Sequence, residues 1–152
     1  MSVQAPLRAA PSAIEFHLDR TIPRLFVSID ERATGPGVAE GLSRLYTEQP
    51  EVTHLDILFE LNDYRGVVTH ADMKVIVEAY LKANQDPSRP CRSAFVTPDP
   101  MFHFWAAAMS YLFTGREHRV FTAFSAASAW LDEPMDERPP FTGAPVPGLE
   151  QG

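Results

Sequence analysis

The sequence has little of several features that mark common functional classes. Its single cysteine, Cys91, excludes an internal disulfide and a multi-cysteine metal site. Its net charge is −7, and its 13 lysines and arginines are scattered, so no cationic stripe is available for nucleic acid or anionic lipid. The longest nearly uncharged run, 101–114, is shorter than the roughly 20 residues of a membrane span. We therefore expect no nucleic-acid partner and no membrane span.

Both ends of the chain lack regular patterning. Residues 1–13 show no basic start followed by an apolar stretch, so no signal peptide is predicted and a cytoplasmic location is expected. We interpret this segment as a flexible arm. Residues 133–152 are rich in proline and are predicted to form a largely unstructured tail. A single α/β domain is expected between them, over residues 14–132.

Between these ends, short apolar strands alternate with helical patterns. The strands are predicted at 25–29, 55–60, 91–96 and 118–121, and the helices at 37–48, 69–84, 101–114 and 124–131. An alternating segment at 14–18, followed by a turn at 19–23, predicts an additional strand in an antiparallel hairpin. Strands that alternate with helices indicate an α/β fold with a mostly parallel sheet.

Polar residues within the strands predict how the helices are distributed. Sheets covered by helices on both faces have continuously apolar strands, whereas Ser28, Arg92 and Ser93 interrupt these strands. We therefore expect sequential strand order in a right-handed βα superhelix. Its helices would lie mainly on one face, and the opposite face would be more polar or covered by a partner.

Local motifs follow the predicted strands in a characteristic order. They are ELNDYRG at 60–66, FVTPDP at 95–100, and RVF at 119–121 before a short helix with AWL at 129–131. With the leading hairpin, they resemble the SpoIIAA-like fold, the superfamily of STAS domains and anti-sigma-factor antagonists, over roughly residues 14–132. The resemblance implies a non-enzymatic regulatory or ligand-binding domain that often works through protein contacts.

The resemblance also implies a position for a phosphorylated residue. The best-known members of the superfamily carry a phosphorylatable serine just after the third strand, at the start of the next helix. Here the corresponding residues 63–69 contain no serine, and Thr69 is the hydroxyl near the expected place. Since Thr69 is also a predicted N-cap whose oxygen is occupied, a phospho-switch of that kind is not expected to be retained.

Polar side chains follow two of the predicted strands. Ligands of open α/β sheets gather at the carboxyl ends of the strands, so we predict a rim that binds a partner or ligand, formed by Asp63, Tyr64, Arg65, Thr97, Asp99 and His103. A purely structural alternative stays open. In that alternative Asp63 pairs with Arg65, and Asp99 caps the helix that begins near residue 100.

No motif predicts catalysis or a cofactor. The G-x-S-x-G nucleophile motif is absent, and Asp63, His70, Asp99 and His103 lack the spacing of local metal ligands. We expect no metal and no cofactor. A hydrolase that uses the acidic residues at the strand ends is the weakest functional alternative.

The predicted helix at 101–114 carries aromatic residues on more than one face. The residues predicted to pack on the sheet are Phe102, Trp105, Met109, Leu112 and Phe113. Phe104 and Tyr111 fall on a flank that needs cover, either from Phe141 in the tail or from a second copy in a homodimer. The main hypothesis is a regulatory or protein-interaction module. The alternative is a carrier for a small apolar or amphipathic ligand lodged near Phe102 and Trp105.

Overall fold

The computed structural model describes residues 13–86 and 88–134, which form five strands, four α-helices and one short 3-10 helix. In chain order these are β1 (Ile14–Asp19), β2 (Arg24–Ile29), α1 (Gly35–Glu48), the 3-10 helix (Pro50–His54), β3 (Asp56–Glu60), α2 (His70–Ala83), β4 (Cys91–Val96), α3 (Phe102–Leu112), β5 (Arg116–Phe121) and α4 (Phe124–Asp132). Within this part of the chain, no helix combines the length and the apolar character that crossing a membrane requires.

The five strands form one sheet in sequential order, β1-β2-β3-β4-β5. β1 runs antiparallel to β2, with Ile14 opposite Ile29. The other neighbours are parallel, and Ile57 of β3 lies opposite both Leu25 and Ser93. The predicted hairpin, the mostly parallel sheet and the sequential order are confirmed.

The helices lie mainly on one face of the sheet, as predicted. α1, α2 and α3 pack on the face formed by alternate strand residues such as Val27, Ile57 and Phe95. Each of these helices connects two adjacent parallel strands, and right-handed crossovers between strands in sequential order place every connection on the same side. Within residues 13–134, α4 follows the fifth strand and connects no two strands, so this rule does not constrain its face.

The expectation that the opposite face is more polar was wrong over the centre of the sheet. There α4 packs through Ala127, Trp130 and Leu131 on an apolar strip formed by Leu58, Ala94 and Val96. These strand residues alternate with those that face α1 to α3. The pattern in β4 is therefore apolar on both sides near its carboxyl end. Arg92 is the polar interruption on the side that faces α4, and Ser93 is the one on the other side.

Two buried arginines attach α4 to the sheet. Arg24 forms an ion pair of 2.8 Å with Asp132. Arg92 donates a hydrogen bond of 2.6 Å to the carbonyl oxygen of Trp130, and its guanidinium lies 5.0 Å from the centre of the Trp130 ring. Positive charge near the last carbonyl groups of a helix is favourable, so the residue that interrupts the apolar pattern of β4 is an anchor for α4.

Element boundaries differ from the predictions where local hydrogen bonds decide them. β5 begins at Arg116, because Cys91 and Arg116 are register partners in the ladder. The 3-10 helix was not predicted; within it the hydroxyl of Thr53 donates to the carbonyl oxygen of Pro50 at 2.8 Å. The predicted arm and tail, including Phe141, lie almost entirely outside the described residues.

Candidate functional site

An apolar cavity of about 320 Å³ lies between α2 and α3, above the helix-bearing face of the sheet. This volume is at the lower end of the range for small-molecule sites, roughly 300–1,000 Å³. The walls come from α1, α2, α3 and the sheet, and include Val38, Leu42, Phe59, Met73, Ile76, Phe95, Trp105, Met109 and Phe113. We call this space the inner cavity.

The position of the inner cavity follows from how the three helices pack. The start of α1 approaches the loop before α2 so closely that a Cβ atom on Gly35 would lie 2.1 Å from the carbonyl oxygen of Val67. α1 and α2 therefore form a close pair, while α3 packs against β5. The space between the pair and α3 is filled only in part by Trp105 and Met109, which line the cavity from α3.

Ser93, Arg116 and His118 line the end of the inner cavity near the beginnings of β4 and β5. Ser93 and His118 are register partners on the two strands. Arg116 lies two residues before His118 and therefore faces the same side of the sheet. The sequence predictions did not include these three residues, although Ser93 was noted as a polar interruption of an otherwise apolar strand.

Arg116 is buried, and all five of its N–H groups donate to neutral oxygens. Nε donates to the hydroxyl of Tyr80 at 3.0 Å, and the two terminal nitrogens donate at 2.7–3.1 Å to oxygens of Thr53, Leu55, Arg92 and Ser93. Burial alone lowers the pKa of the guanidinium, but the nearby Tyr80, Cys91 and Tyr46 outweigh it and the net pKa is raised. Arg116 is therefore charged and has no donor left over for another group.

His118 is a neutral ring at the same end of the cavity. Burial, and then the charge of Arg116, lower its pKa to about 3. Its Nδ1 lies 3.5 Å from Oγ of Ser110, and the same oxygen accepts a hydrogen bond of 2.8 Å from the backbone N–H of His118. The ring also stacks on Phe95, with centroids 5.7 Å apart. Its main contacts are thus those of a packed aromatic group.

Tyr64 stands at the opposite end of the inner cavity, in the loop that joins β3 to α2. Its hydroxyl oxygen is buried and has no hydrogen-bond partner among the described residues. Burial, and then the charge of Asp72, raise the pKa of this phenol, so it keeps its proton. A Cβ atom on Gly66 would lie 2.7 Å from the Tyr64 hydroxyl, so only glycine allows the loop to lie so close to the ring.

A second cavity, of about 270 Å³, lies at the carboxyl ends of β3 and β4. We call it the rim cavity; its lining residues are Tyr64, Arg65, Gly66, Thr97, Pro98, Asp99 and Phe102. Tyr64, Gly66, Asp99 and Phe102 also line the inner cavity, so the two spaces adjoin.

The structure brings together four of the six predicted rim residues, namely Tyr64, Arg65, Thr97 and Asp99, around this rim cavity. Asp63 and His103 are exposed and line neither the inner nor the rim cavity. Phe102, which the sequence placed near a carrier site, lines both cavities, and Trp105 lines the inner one.

Hydrogen bonds within the rim agree in part with the alternative in which these side chains only stabilise the local structure. Asp99 accepts a hydrogen bond of 3.0 Å from the backbone N–H of Met101, at the start of α3. Arg65 donates to the carbonyl oxygens of Asn62 and Tyr64, at 3.0 and 3.2 Å. The ion pairs of the described residues do not include one between Asp63 and Arg65.

Thr69 caps α2 in a reciprocal arrangement with Asp72. The Thr69 hydroxyl accepts a hydrogen bond of 3.1 Å from the N–H of Asp72, whose carboxylate accepts one of 3.0 Å from the N–H of Thr69. The Thr69 hydroxyl, which lies near the phosphorylation position that the resemblance implies, is thus engaged at the helix start. Across the described ranges, no cluster of three or more His, Cys, Asp or Glu side chains is arranged to hold a metal ion.

The outer flank of α3 is uncovered by the described residues. Phe104 is 73% exposed and Tyr111 is 88% exposed, whereas Ala106 and Met109 are buried. Leu112 was predicted to pack on the sheet, but it is 39% exposed, because α3 ends at this residue.

A comparison with solved structures finds a similar fold in a protein of low sequence identity. The chain is similar to the crystal structure of an uncharacterised protein from the DUF3478 family, with a SpoIIAA-like fold, from Shewanella loihica PV-4. The TM-score is 0.55 and the sequence identity 15%, and the match covers 78% of this chain and 92% of that one. No known family model and no curated protein matches the sequence. The chain has a SpoIIAA-like fold, which confirms the predicted resemblance.

Proposed function

We propose that the protein is a cytoplasmic binding domain that holds a small, mainly apolar molecule in the inner cavity. The observation that carries this proposal is an apolar space of about 320 Å³ inside a small domain. Small-molecule sites are clefts or cavities of roughly 300–1,000 Å³ lined mainly by apolar side chains. The inner cavity is of this kind and is partly open, with the exposed Val67 and Met101 in its lining. The carrier hypothesis, with Phe102 and Trp105 at the ligand, is therefore favoured over the interaction-module hypothesis for this site.

The polar groups at the inner cavity support binding more than catalysis. A nucleophilic mechanism needs an activated hydroxyl or thiol beside a base that is itself oriented by a third group. Ser110 and His118 are neighbours, but burial lowers the pKa of His118 to about 3, which makes it a weak base near neutral pH. Arg116 has all its donors occupied by protein oxygens. The inner cavity therefore offers a ligand its shape and apolar surface and no activated catalytic group.

The binding function is tested by filling the cavity from α2. Ile76 is 4% exposed and lines the inner cavity, while its neighbour Val75 is 47% exposed. We expect wild-type protein to bind the apolar dye N-phenylnaphthylamine in titration calorimetry. Ile76→Trp should weaken binding at least tenfold because the indole occupies the ligand's space, and Val75→Trp should leave binding unchanged.

Two results would contradict this proposal. The first is a wild-type protein that does not bind the dye. The second is a folded Ile76→Trp variant that binds as tightly as Val75→Trp. If Ile76→Trp fails to fold, Met73→Trp is the replacement, because Met73 also lines the cavity but is only half-buried and its site tolerates enlargement more easily.

A second candidate function is favoured by the outer flank of α3. Phe104 and Tyr111 are seven residues apart, which places them on one stripe of the helix, and both are strongly exposed. We propose that this stripe binds a second copy of the chain. Light scattering should then give a dimer mass for wild type and a monomer mass for the double variant Phe104→Ser/Tyr111→Ser. A monomeric wild type would contradict self-association.

A further inference from the structure

The unpartnered hydroxyl of Tyr64 marks the boundary between the two cavities. Tyr64 lines both of them, and its hydroxyl oxygen is buried without a hydrogen-bond partner among the described residues. Buried polar groups in native proteins nearly always have a partner, and an exception calls for a physical explanation. A bound molecule that supplies the missing partner is such an explanation.

The Tyr64 hydroxyl can donate a hydrogen bond to a bound molecule. Burial and the nearby charge of Asp72 raise the pKa of Tyr64, so the hydroxyl keeps its proton and can donate it. The carboxylate of Asp72 already accepts a hydrogen bond from the backbone N–H of Thr69 in the capping box of α2. An oxygen of a ligand at the cavity junction would receive the Tyr64 proton without disturbing that cap.

The charges near the junction disfavour an anionic acceptor. Asp99 lines both cavities, and Asp72 lies close enough to Tyr64 to raise its pKa. Arg65 is the cationic residue that lines the rim cavity, and one of its terminal nitrogens already donates to two backbone carbonyl oxygens. A carboxylate at the junction would be repelled by Asp99, which lines both cavities.

The far end of the inner cavity offers no better place for an anion. Each N–H group of Arg116 donates to a protein oxygen, and the His118 ring beside it is neutral and stacked on Phe95. An acid group there would exchange its hydration for a site with no free charged donor, which is unfavourable.

Resting on the proposed function, we infer that the ligand is an uncharged amphiphile. Its hydrocarbon body packs among Ile76, Met109 and Phe113, and a ketone, ester or alcohol oxygen accepts a hydrogen bond from Tyr64. From Ser93 in the inner cavity to Thr97 in the rim cavity, the two adjoining spaces span four residues of extended chain, or roughly 13 Å at about 3.3 Å per residue. This depth suits a chain or ring of modest size.

Three probes with similar carbon skeletons test this inference. Butyrophenone differs from butylbenzene by one carbonyl group, and phenylbutyrate carries a carboxylate on a comparable chain. We expect Tyr64→Phe to weaken butyrophenone binding about five- to tenfold, the usual effect of one lost hydrogen bond. The same change should leave butylbenzene within about twofold. Thr47→Val is the control, because it removes a hydroxyl at an exposed position of α1 that lines neither cavity.

A second measurement uses the wild-type protein alone. The infrared carbonyl stretch of bound butyrophenone should lie at lower wavenumber than in an alkane solvent, because the carbonyl oxygen accepts a hydrogen bond. Phenylbutyrate should bind wild-type protein at least tenfold more weakly than butyrophenone does, because Asp99, which lines both cavities, would repel its charge.

The outcomes separate this inference from the proposed function. If both neutral probes bind but Tyr64→Phe affects neither, and the carbonyl stretch is that of an alkane solution, the role of Tyr64 is overturned while the binding function stands. If phenylbutyrate binds most tightly, the uncharged class is overturned. If no probe binds wild-type protein, the binding function itself fails.

Discussion

Three buried arginines illustrate how single residues are accommodated in this domain. Arg24 has a carboxylate partner in Asp132, Arg92 donates to carbonyl oxygens at the end of α4, and Arg116 donates to five neutral oxygens. Burying a charge is costly unless its hydrogen-bonding groups are satisfied. Arg116 meets that condition without a carboxylate, because all five N–H donors of its planar guanidinium are used. Nε of Arg24 and Nε of Arg92 have no hydrogen-bond partner among the described residues.

The titration of His118 should make the folded state less stable in acid. Its pKa is lowered to about 3 in the folded protein, against roughly 6.5 in the unfolded chain. Between these values the unfolded state binds a proton that the folded state does not. The free energy of unfolding therefore falls as the pH drops through this window, by up to about 1.4 kcal/mol per pH unit.

The contribution of His118 to the pH dependence of stability is measured by urea unfolding of wild type and His118→Phe between about pH 3 and 6.5. Phenylalanine suits the site because Phe95 and Phe113 already pack on the ring. The variant should lose less stability in acid than wild type does, whereas His17→Phe, at an exposed position of β1, should follow the wild-type curve. Identical pH dependence in wild type and His118→Phe would contradict the assignment.

At the scale of elements, the strands were the most predictable part of the structure. β4 has the predicted bounds, Cys91–Val96, because turn residues flank the strand on both sides. The face on which α4 packs was not predictable from its own sequence. It depends on a strip of Leu58, Ala94 and Val96 that only forms when β3 and β4 pair.

The cap of α2 should contribute measurably to stability. Thr69→Ala removes the hydroxyl that accepts from the N–H of Asp72, so we expect a loss of about 1 kcal/mol in the free energy of unfolding. Thr47→Ala makes the same chemical change at an exposed position inside α1, where alanine is the better helix former. Urea titration should show destabilisation for Thr69→Ala alone; equal stability of the two variants would contradict a capping role.

For the whole molecule, the fold was far more accessible from sequence than the candidate site. Alternating strands and helices are local patterns, and they were sufficient for the sheet order and the SpoIIAA-like resemblance. The inner cavity depends on the distance between α2 and α3, which no local pattern encodes. Tyr64 was placed at the rim because it follows a strand, but its missing hydrogen-bond partner is visible only in three dimensions.

Ligand binding should also raise the stability of the whole domain. A molecule that binds only the folded state adds about 2.7 kcal/mol to the free energy of unfolding at a free concentration of about one hundred times Kd. We expect saturating butyrophenone to raise the melting temperature of wild type by several degrees. It should leave the melting temperature of Ile76→Trp unchanged, because the inner cavity is then filled. A rise of equal size in both proteins would indicate binding elsewhere.

The sequential strand order has a consequence for synthesis on the ribosome. Each strand pairs with the one before it, so every strand that emerges finds its neighbour already made. The apolar strip on β3 and β4 is different. It is complete well before α4, the helix that covers it, has been translated. A nascent chain that stalls in this interval would expose this apolar strip to solvent. Exposed apolar surface of this kind is bound by chaperones or leads to aggregation with other chains.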